Sequence, residues 1–480
     1  MKLKDLLQGI EVLECTADLE QDIQNIAYNS RLVEENGLFV AITGFATDGN
    51  KYIPMAMEKG AAAVVTARKP QQDIPYVLVS SDRKALAMLG VNFYGNPAKS
   101  MTMIGITGTN GKTSSTLILK QIMEKTMGSK VGLIGTMENL IGQEVIPTER
   151  TTPESFELQQ LFARMRDAGC SHVVMEVSSH AISLDRVWGV EFDVAAFTNL
   201  TEDHLDFHKT MESYCDAKAE LFRRSKLAVA NCDDVWFDRM TKHATAQILT
   251  TSAKGQAGLR AENAQLLSDG VSFDAIYNGE KVKIKLPIPG KFTVYNALTA
   301  LGIALQLGVS LQDAAAAMTN VSGVKGRVEV VPTPGKDYTV LIDYAHTPDG
   351  LENVLSSVRD FCQGRLISVF GCGGDRDPIK RPIMGRIGVE LSDIAVITSD
   401  NPRTEDPNAV IADIVKGVDD SMGEYVVIEN RVKAIHYAMD IAKKHDIIVL
   451  VGKGHETYQE INHVKHHLDE REVVAEYLQK

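Results

Sequence analysis

The stretch Met101-Thr-Met-Ile-Gly-Ile-Thr-Gly-Thr-Asn-Gly-Lys-Thr113 decides how the chain around it can fold. An apolar, β-prone run reaches Ile106, a glycine-rich turn follows, and residues 114–127 then have the pattern of a helix. A strand, a glycine-rich turn and a helix in this order are typical of a phosphate-binding loop. In such a loop, backbone N–H groups and the helix N-terminus face the anion. The stretch therefore predicts a site for a nucleoside triphosphate.

The loop has a short form, because Ile106 stands where the longer pattern would have a glycine. Lys112 supplies a positive charge for the phosphates, and the hydroxyl of Thr113 can hold Mg²⁺. A chance glycine turn that ends in Lys-Thr is the alternative, and the predicted strand and helix on either side argue against it. The residues predicted to bind ATP here are Gly108, Thr109, Asn110, Gly111, Lys112 and Thr113.

Composition narrows the classes of protein. A length of 480 residues fits about three domains, and 44% hydrophobic with 24% charged residues is ordinary for a globular protein. The net charge of −13 argues against nucleic acid or an anionic membrane as the main partner. Six cysteines without a C-x-x-C pair, no signal-peptide pattern and no apolar run of membrane-spanning length predict a cytoplasmic protein.

Two further buried strands are predicted at residues 171–177 and 193–197. The first ends at Glu176, and the second leads into a polar loop that contains His204. Because open α/β sheets bind ligands at the carboxyl ends of their strands, these two residues should lie beside Thr113 and form a Mg²⁺ site. Taken singly, Glu176 could be a hydrogen-bonded polar residue and His204 a neighbour of a helix cap.

Lys218 is the least expected residue of this region. The predicted helix at residues 212–222 places it on the same face as Tyr214, Leu221 and Phe222. A lysine on an apolar face must extend its ammonium group to water, find an anion or change its chemistry. The first of these is the commonest outcome.

The C-terminal third repeats one arrangement four times. Apolar strands are predicted at 338–342, 366–370, 394–398 and 447–451, and each leads into a polar loop. The loops are Asp343-Tyr-Ala-His-Thr-Pro-Asp-Gly350, Gly371-Cys-Gly-Gly-Asp-Arg-Asp377, Ser399-Asp-Asn-Pro-Arg403 and Gly452-Lys-Gly-His-Glu456. If the sheet is parallel, all four loops line one ligand-binding edge.

The predicted fold class is α/β with three domains. A small N-terminal α/β domain spans residues 1–98, with strands near 37–43 and 60–66. A central phosphate-loop domain of the ATPase type spans 99–328, and a C-terminal Rossmann-like domain spans 329–480.

Taken together, the motifs resemble the Mur ligase family over essentially the whole chain. These are ATP-dependent enzymes that add amino acids to the bacterial cell-wall precursor. The motifs that carry the resemblance are Gly108-Thr-Asn-Gly-Lys-Thr113, Glu176-Val-Ser-Ser-His180, Asp203-His-Leu-Asp206, Ala217-Lys-Ala219, Asp343-Tyr-Ala-His-Thr-Pro-Asp349, Gly371-Cys-Gly-Gly-Asp-Arg376 and Gly452-Lys-Gly-His-Glu456. Three of the C-terminal loops and Asp400-Asn-Pro-Arg403 resemble the members that join a diamino acid to UDP-N-acetylmuramoyl-L-alanyl-D-glutamate.

The resemblance implies the remaining roles. Lys112, Glu176, His204 and Lys218 would be catalytic, with Lys218 carbamylated. Mg²⁺ would be held by Thr113, Thr136, Glu176, His204 and carbamylated Lys218, and ATP would also contact Asn296, Arg327 and Asp343. The UDP-muramoyl-peptide would be bound by Ser30, Arg31, Thr43, Thr151, Thr152, Ser178 and Arg186. The amino acid would be bound by Arg376, Asp400, Asn401, Arg403, Gly452 and Glu456.

Arg403 favours meso-2,6-diaminopimelate as the added amino acid, because a guanidinium can hold its distal carboxylate through two parallel bonds. Addition of L-lysine, a phosphate-loop kinase and a nucleotide-gated binding protein are the alternatives. The family further implies a monomer. Tyr28-Asn-Ser-Arg31 and Leu184 depart from the usual pattern and affect single substrate contacts.

Overall fold

The computed structural model describes residues 1–44, 47–148, 150–419 and 423–479. The chain divides into two compact units, Met1–Thr251 with Thr299–Val309, and Ser252–Leu298 with Ser310–Lys480. Both units combine helices with β-sheets, which confirms the predicted α/β class. The predicted domain boundaries after residues 98 and 328 stay predictions. Within the described ranges, no helix is both long and apolar enough to cross a membrane.

The first unit contains two sheets. Its strands are β1 (Val12–Cys15), β2 (Ile26–Ala27), β3 (Gly37–Ala41), β4 (Ala61–Thr66), β5 (Tyr76–Val79), β6 (Thr102–Thr107), β7 (Lys130–Ile134), β8 (Asn139–Ile141), β9 (Glu144–Ile146), β10 (Cys170–Glu176), β11 (Phe192–Phe197), β12 (Ser225–Asn231) and β13 (Gln247–Ser252). Its helices are α1 (Leu3–Leu6), α2 (Ile53–Glu58), α3 (Asp82–Phe93), α4 (Lys112–Met127), α5 (Ser155–Asp167), α6 (Ser179–Ser183), α7 (Leu205–His208), α8 (Met211–Arg223) and α9 (Phe237–Thr241).

Strand β6 occupies the middle of the larger sheet of this unit. The smaller sheet has the order β1-β5-β4-β3-β2, and the strands of the larger sheet that lie in this unit have the order β13-β12-β11-β6-β10-β7-β8-β9. Strands β10 and β11 flank β6 and both pair with it in parallel. The carboxyl ends of these three nearly fully buried strands therefore meet at one edge, where the phosphate loop, Glu176 and the loop before His204 begin.

The second unit contains a six-stranded sheet, a hairpin, and three strands that pair with one another in antiparallel fashion. Its strands are β14 (Leu259–Leu267), β15 (Gly270–Tyr277), β16 (Glu280–Leu286), β17 (Glu329–Val331), β18 (Thr339–Asp343), β19 (Leu366–Phe370), β20 (Ile394–Ile397), β21 (Glu424–Val427), β22 (Ile447–Val451), β23 (Tyr458–Ile461) and β24 (Val464–His467). Its helices are α10 (Lys291–Gln306, the last part of which belongs to the first unit), α11 (Leu311–Met318), α12 (Pro348–Arg359), α13 (Lys380–Leu391), α14 (Pro407–Val415), α15 (Arg431–Ile441) and α16 (Glu470–Leu478).

The predicted parallel sheet of the C-terminal region is confirmed. Its order is β17-β18-β22-β19-β20-β21, and every neighbouring pair is parallel except β17 with β18. Alternate residues of the central strands enter separate apolar clusters on the two faces, as Val449 and Ile448 do. Because β18, β19, β20 and β22 point the same way, their four following loops share one edge of the sheet.

Candidate active site

The phosphate loop is held in shape by the segment that follows β11. Gly108 has φ +146°, and a Cβ atom there would lie 2.0 Å from the Thr198 hydroxyl oxygen. The Thr109 N–H donates to the Asn199 carbonyl (2.8 Å), and the Asn110 N–H donates to the Asn199 side-chain oxygen (3.0 Å). Only glycine fits at position 108, because any larger residue would displace this neighbouring loop.

Helix α4 begins at Lys112, two residues earlier than the sequence predicts. Lys112 and Thr113 therefore lie in its first turn, where backbone N–H groups have no partner within the helix. The Lys112 ammonium donates to the carbonyls of Gly108 (2.9 Å) and Thr109 (2.8 Å). Burial lowers the pKa of Lys112, and the charges of Glu176 and Asp203 act in the opposite direction.

Lys218 does not extend to water, so the commonest sequence-based interpretation is wrong. It lies on α8, only 1% exposed, and its ammonium donates to the Gly108 carbonyl (2.8 Å) above the ring of Tyr214. Its route to solvent is closed because the helix face packs against the phosphate loop. Burial, and then the nearby charge of Lys112, hold the pKa of Lys218 well below its usual value. Two lysines thus share one carbonyl acceptor.

The predicted metal ligands lie around the same loop. Glu176 is fully buried at the end of β10, and its two carboxylate oxygens accept from the Thr136 N–H and hydroxyl (both 2.9 Å). His204 precedes α7 at φ +52°, and its ring lies 4.8 Å from that of His180 and 6.2 Å from that of Tyr214. The Tyr214 hydroxyl is 3.3 Å from the Thr109 hydroxyl.

These ligands fit Mg²⁺ better than a metal that needs a protein cage. Among the described residues, no three His, Cys, Asp or Glu side chains form a group suited to a metal ion. Mg²⁺ prefers oxygen ligands and is commonly held by one or two carboxylates together with substrate phosphates. Glu176, Thr113 and Thr136 offer such oxygens beside the phosphate loop, with Glu176 and Thr136 in direct contact.

A chain of hydrogen bonds connects the Glu176 region with four residues predicted to bind the muramoyl-peptide. The hydroxyl oxygens of Thr136 and Thr151 lie 3.0 Å apart, and the Thr152 hydroxyl donates to the Glu176 carbonyl (2.9 Å). The Ser178 N–H donates to Thr152 (3.2 Å), and an Arg186 Nη donates to the Thr152 carbonyl (3.2 Å). The structure therefore brings these predicted residues together with the predicted metal ligands.

The residues predicted to contact UDP lie in the N-terminal region and take no part in the hydrogen bonds around Glu176 that the structure describes. Ser30 and Arg31 lie in the 3₁₀ turn Ser30–Leu32, and the Thr43 N–H donates to Asp82 (2.9 Å). Within the described ranges, no hydrogen bond or ion pair joins Ser30, Arg31 or Thr43 to the residues around Glu176. Tyr28 nevertheless contacts Glu157 of α5, so the two parts of the first unit touch beside this turn.

Three predicted nucleotide contacts belong to the second unit. Asn296 is buried on α10, and Arg327 lies 5.8 Å from the ring of Tyr344. Asp343 ends β18, and its two oxygens accept from the N–H groups of Ala345 (2.8 Å) and Val328 (2.9 Å). Burial raises the pKa of Asp343. Asp343 thus fixes the backbone directly after Arg327 and directly after Tyr344.

Four predicted amino-acid contacts meet at the shared edge of the parallel sheet, joined by a lysine that the sequence analysis left out. Asn401 donates to the Glu456 carboxylate (2.9 Å). The fully buried Lys453 donates to the Asn401 side-chain oxygen (3.0 Å) and to Glu456 (3.3 Å). Gly452 has φ +119°, and a Cβ atom there would lie 2.6 Å from an Asp400 carboxylate oxygen. The loops after β20 and β22 are therefore locked together.

The side chain of Arg403 already has two partners within the protein. The residue has φ +50°, its Nη1 donates to the Gly374 carbonyl (2.8 Å), and its Nε lies 3.3 Å from a Glu460 carboxylate oxygen. Arg376 is exposed and donates to the Asp375 carbonyl (3.2 Å). Arg403 is thus held by two loops, whereas Arg376 donates to its neighbour in the sequence.

A buried arginine, Arg431, contacts the residues at this edge of the sheet. Arg431 donates from Nε to Glu470 (2.8 Å) and from Nη2 to the Val451 carbonyl (3.0 Å). Its Nη1 lies 3.8 Å from Asp400. This side chain therefore ties α16 to the beginnings of the loops that follow β20 and β22.

Lys453, Glu460 and Arg431 are not among the residues predicted from the sequence. Lys453 is the second residue after β22 and lies within the motif Gly452-Lys-Gly-His-Glu456, so the rule that ligands bind at strand ends could have identified it. Glu460 lies on the hairpin β23–β24, and Arg431 begins α15. Neither position follows a buried strand, so no pattern in the sequence marked these two residues.

Comparison with known proteins gives matches along most of the chain. Residues 22–94 match the model "Mur ligase family, catalytic domain", residues 106–304 match "Mur ligase middle domain", and residues 326–454 match "Mur ligase, glutamate ligase domain". The UDP-N-acetylmuramoyl-L-alanyl-D-glutamate–2,6-diaminopimelate ligase of Clostridium tetani is 49% identical over 487 residues, covering all of both chains. Ligase 1 of the same name from Clostridium acetobutylicum is 49% identical over 483 residues, again covering both.

Two solved structures are also similar to this chain. A structure of a UDP-N-acetylmuramoyl-L-alanyl-D-glutamate–2,6-diaminopimelate ligase is 30% identical and superimposes with a TM-score of 0.79, covering 100% of this chain and 99% of the other. The MurF ligase of Thermotoga maritima, solved in complex with ADP, shares the fold, with a TM-score of 0.58 at 19% identity over 95% and 97% of the two chains.

Proposed function

Since the chain belongs to the Mur ligase family, whose members are ATP-dependent amide-forming ligases, we propose that it joins meso-2,6-diaminopimelate to UDP-N-acetylmuramoyl-L-alanyl-D-glutamate in the synthesis of the peptidoglycan precursor. The observation that carries this proposal is 49% identity over the full chain to relatives named for that reaction. The cluster of Asn401, Glu456 and Arg403 at one sheet edge supports a site for a charged amino acid.

The reaction must activate a carboxylate, whose oxygen is a poor leaving group at neutral pH. The terminal phosphoryl group of ATP is transferred to the γ-carboxylate of the D-glutamate residue, which gives an acyl phosphate and ADP. The amine of the diamino acid then attacks the acyl carbon, the new C–N bond forms, phosphate leaves and the nitrogen loses a proton. The protein contributes mainly positioning and charge neutralisation.

In the proposed nucleotide site, the loop from Gly108 to Thr113 and the N-terminus of α4 receive the phosphates. Lys112 exchanges its contacts with loop carbonyls for a phosphate oxygen. Bound Mg²⁺ would neutralise phosphate charge, and Thr113, Glu176 and His204 would hold it, with Thr136 orienting Glu176. Asn296, Arg327 and Asp343 would complete the contacts with ATP.

The proposed site for the acceptor substrate adjoins these ligands. Thr151, Thr152, Ser178 and Arg186 would bind the muramoyl-peptide, while Ser30, Arg31 and Thr43 would bind the UDP end. The hydrogen bond between the Thr136 and Thr151 hydroxyls and that from Thr152 to the Glu176 carbonyl support this arrangement. They give the two sites a common frame, so that the reacting carboxylate can be held beside the terminal phosphate.

The diamino acid would bind at the edge of the parallel sheet in the second unit. Arg403 would hold its distal carboxylate, and Glu456 its distal ammonium group. Asn401 would contact the rest of the molecule, with Asp400, Gly452 and Arg376 beside it. Lys453 orients Asn401 and Glu456, because its ammonium group contacts both side chains.

Replacing Arg403 with alanine should impair use of the diamino acid selectively. Loss of a charge-assisted pair at a desolvated site costs about 2–5 kcal/mol, so kcat/KM for meso-diaminopimelate should fall by at least tens-fold. The KM for ATP should change little. Steady-state kinetics with each substrate varied in turn would measure both effects, and equal specificity constants of the unmodified enzyme for L-lysine and meso-diaminopimelate would contradict the assignment.

Mass analysis of the products tests the function directly. The protein would be incubated with ATP, Mg²⁺, the UDP-muramoyl-dipeptide, and either meso-diaminopimelate or L-lysine. We expect a UDP-muramoyl-tripeptide that contains diaminopimelate, together with ADP and phosphate. A stable phosphorylated compound without the new amide would indicate a kinase, and nucleotide binding with no new covalent product would indicate a binding protein.

A further inference from the structure

The hairpin β23–β24 fixes the backbone of Arg403. The Arg403 N–H donates to the Glu460 carbonyl (3.0 Å), and the Asn462 N–H donates to the Arg403 carbonyl (2.7 Å). Arg403 also has a left-handed backbone conformation, φ +50°, which is costly for a residue with a side chain. The hairpin thus holds a strained residue in one position.

The same hairpin supplies a carboxylate to the Arg403 side chain. Glu460 Oε2 lies 3.3 Å from Arg403 Nε, and the two side chains are only 22% and 19% exposed. The second contact of the guanidinium is neutral, the Gly374 carbonyl at 2.8 Å. Arg403 therefore already has a counter-ion before any ligand arrives.

We propose that Glu460 is a specificity-determining residue of the amino-acid site, whose carboxylate competes with the distal carboxylate of the substrate for the guanidinium of Arg403. This inference rests on the proposed function, in which Arg403 binds that carboxylate. Two carboxylates that approach one guanidinium repel each other, and partial burial strengthens this repulsion. Glu460 therefore weakens binding of diaminopimelate.

Glu460 has the opposite effect on L-lysine, whose distal end carries an ammonium group and no carboxylate. An isolated Arg403 would repel that ammonium group, whereas a paired Arg403 presents little net charge. Glu460 thus narrows the difference in binding affinity between diaminopimelate and L-lysine, and removing its charge should widen that difference.

The substitution Glu460→Gln separates charge from structure. The N–H and carbonyl groups of residue 460, which bond to the Asn401 side chain and the Arg403 backbone, remain in the variant. A glutamine oxygen can still accept from Arg403. A purely structural role of Glu460 would therefore leave the KM for the amino acids unchanged.

The test measures kcat and KM for meso-diaminopimelate and for L-lysine with the full-length enzyme at saturating ATP and UDP-muramoyl-dipeptide. In E460Q we expect KM for diaminopimelate to fall about three- to tenfold at low ionic strength, with kcat nearly constant, and KM for L-lysine to rise. The fall should shrink in 0.5 M KCl, about three times the physiological ionic strength, because salt screens the repulsion.

Asp393→Asn is the matched control. Asp393 pairs with Arg359 at 2.8 Å and stands directly before β20, at the opposite edge of the sheet from Arg403. The substitution Asp393→Asn changes the net charge by the same amount as Glu460→Gln and should leave the KM values for both amino acids unaltered. Thermal unfolding of each variant checks that the fold is retained, and Glu460→Ala serves as a second variant, with the same lower KM expected for diaminopimelate.

An unchanged or higher KM for diaminopimelate in both folded variants of Glu460 would overturn the inference. Arg403→Ala distinguishes this failure from failure of the proposed function. If R403A raises the KM for diaminopimelate while the Glu460 variants do not lower it, only the role of Glu460 is wrong. If R403A leaves this KM unchanged, the proposed amino-acid site is wrong as well.

Discussion

Replacing Lys112 with alanine is expected to abolish measurable ligation, a loss of about a thousandfold or more in kcat. The ammonium group lies inside the phosphate loop, where it contacts the carbonyls of Gly108 and Thr109. In a buried site, its charge is worth more than it would be in water. Without it, the transferring phosphoryl group would lack its nearest cation from the loop.

Release of ADP and formation of the tripeptide product would both be measured for the Lys112 variant. Lys125→Ala is a suitable control, because Lys125 is an exposed lysine in the last turn of the same helix. Its activity should stay near that of the unmodified enzyme. Near-normal ligation by a correctly folded Lys112 variant would show that the nucleotide site has been assigned to the wrong loop.

Replacing Lys218 with alanine should also leave the protein nearly inactive, with a loss of about a hundredfold or more. We propose that Lys218 carries a carbamate, as the family resemblance implies. Burial and Lys112 lower the pKa of Lys218, which favours the neutral amine. A neutral amine can add to CO₂, which forms an N–C bond and releases a proton. The resulting anion can help to hold Mg²⁺.

Acetate or formate should partly restore the Lys218→Ala variant, because a small carboxylate can occupy the place of the carbamate. Carbon-13 NMR with labelled bicarbonate should show a carbamate signal in the unmodified protein and none in the variant. Lys120→Ala is the control: Lys120 is also buried but already has Glu124 at 2.9 Å. An unmodified ammonium at Lys218 in crystals with bicarbonate and all substrates would contradict the proposal.

The sequence predicted those parts of the fold that depend on local pattern. Strands such as β10 and β22 are continuous apolar runs, and the loops that follow them are polar and rich in glycine. Parallel pairing then places the ends of these strands at one edge, so the positions of Glu176 and Glu456 followed from the pattern alone.

Contacts between distant segments could not be predicted in this way. Helical spacing showed that Lys218 lies on an apolar face, but only the folded chain shows that Gly108 faces it, 110 residues away in sequence. The pairing of Arg403 with Glu460 depends on a hairpin of half-buried and exposed residues that contains no apolar run. Such contacts depend on how helices, strands and loops pack in the folded chain, and local sequence patterns do not predict them.

Arg431 has a consequence for the synthesis of this protein. The strands of the parallel sheet leave the ribosome before Glu470, so Arg431 must wait for α16 to supply the partner of its Nε. Until then its nearest carboxylate is that of Asp400, 3.8 Å from Nη1. Loss of one partner from a buried ion pair destabilises a fold by about 3–5 kcal/mol. A nascent chain that ends before residue 470 should therefore hold its last sheet only loosely and be open to proteases. Completion of α16 would convert it into a chain that resists them.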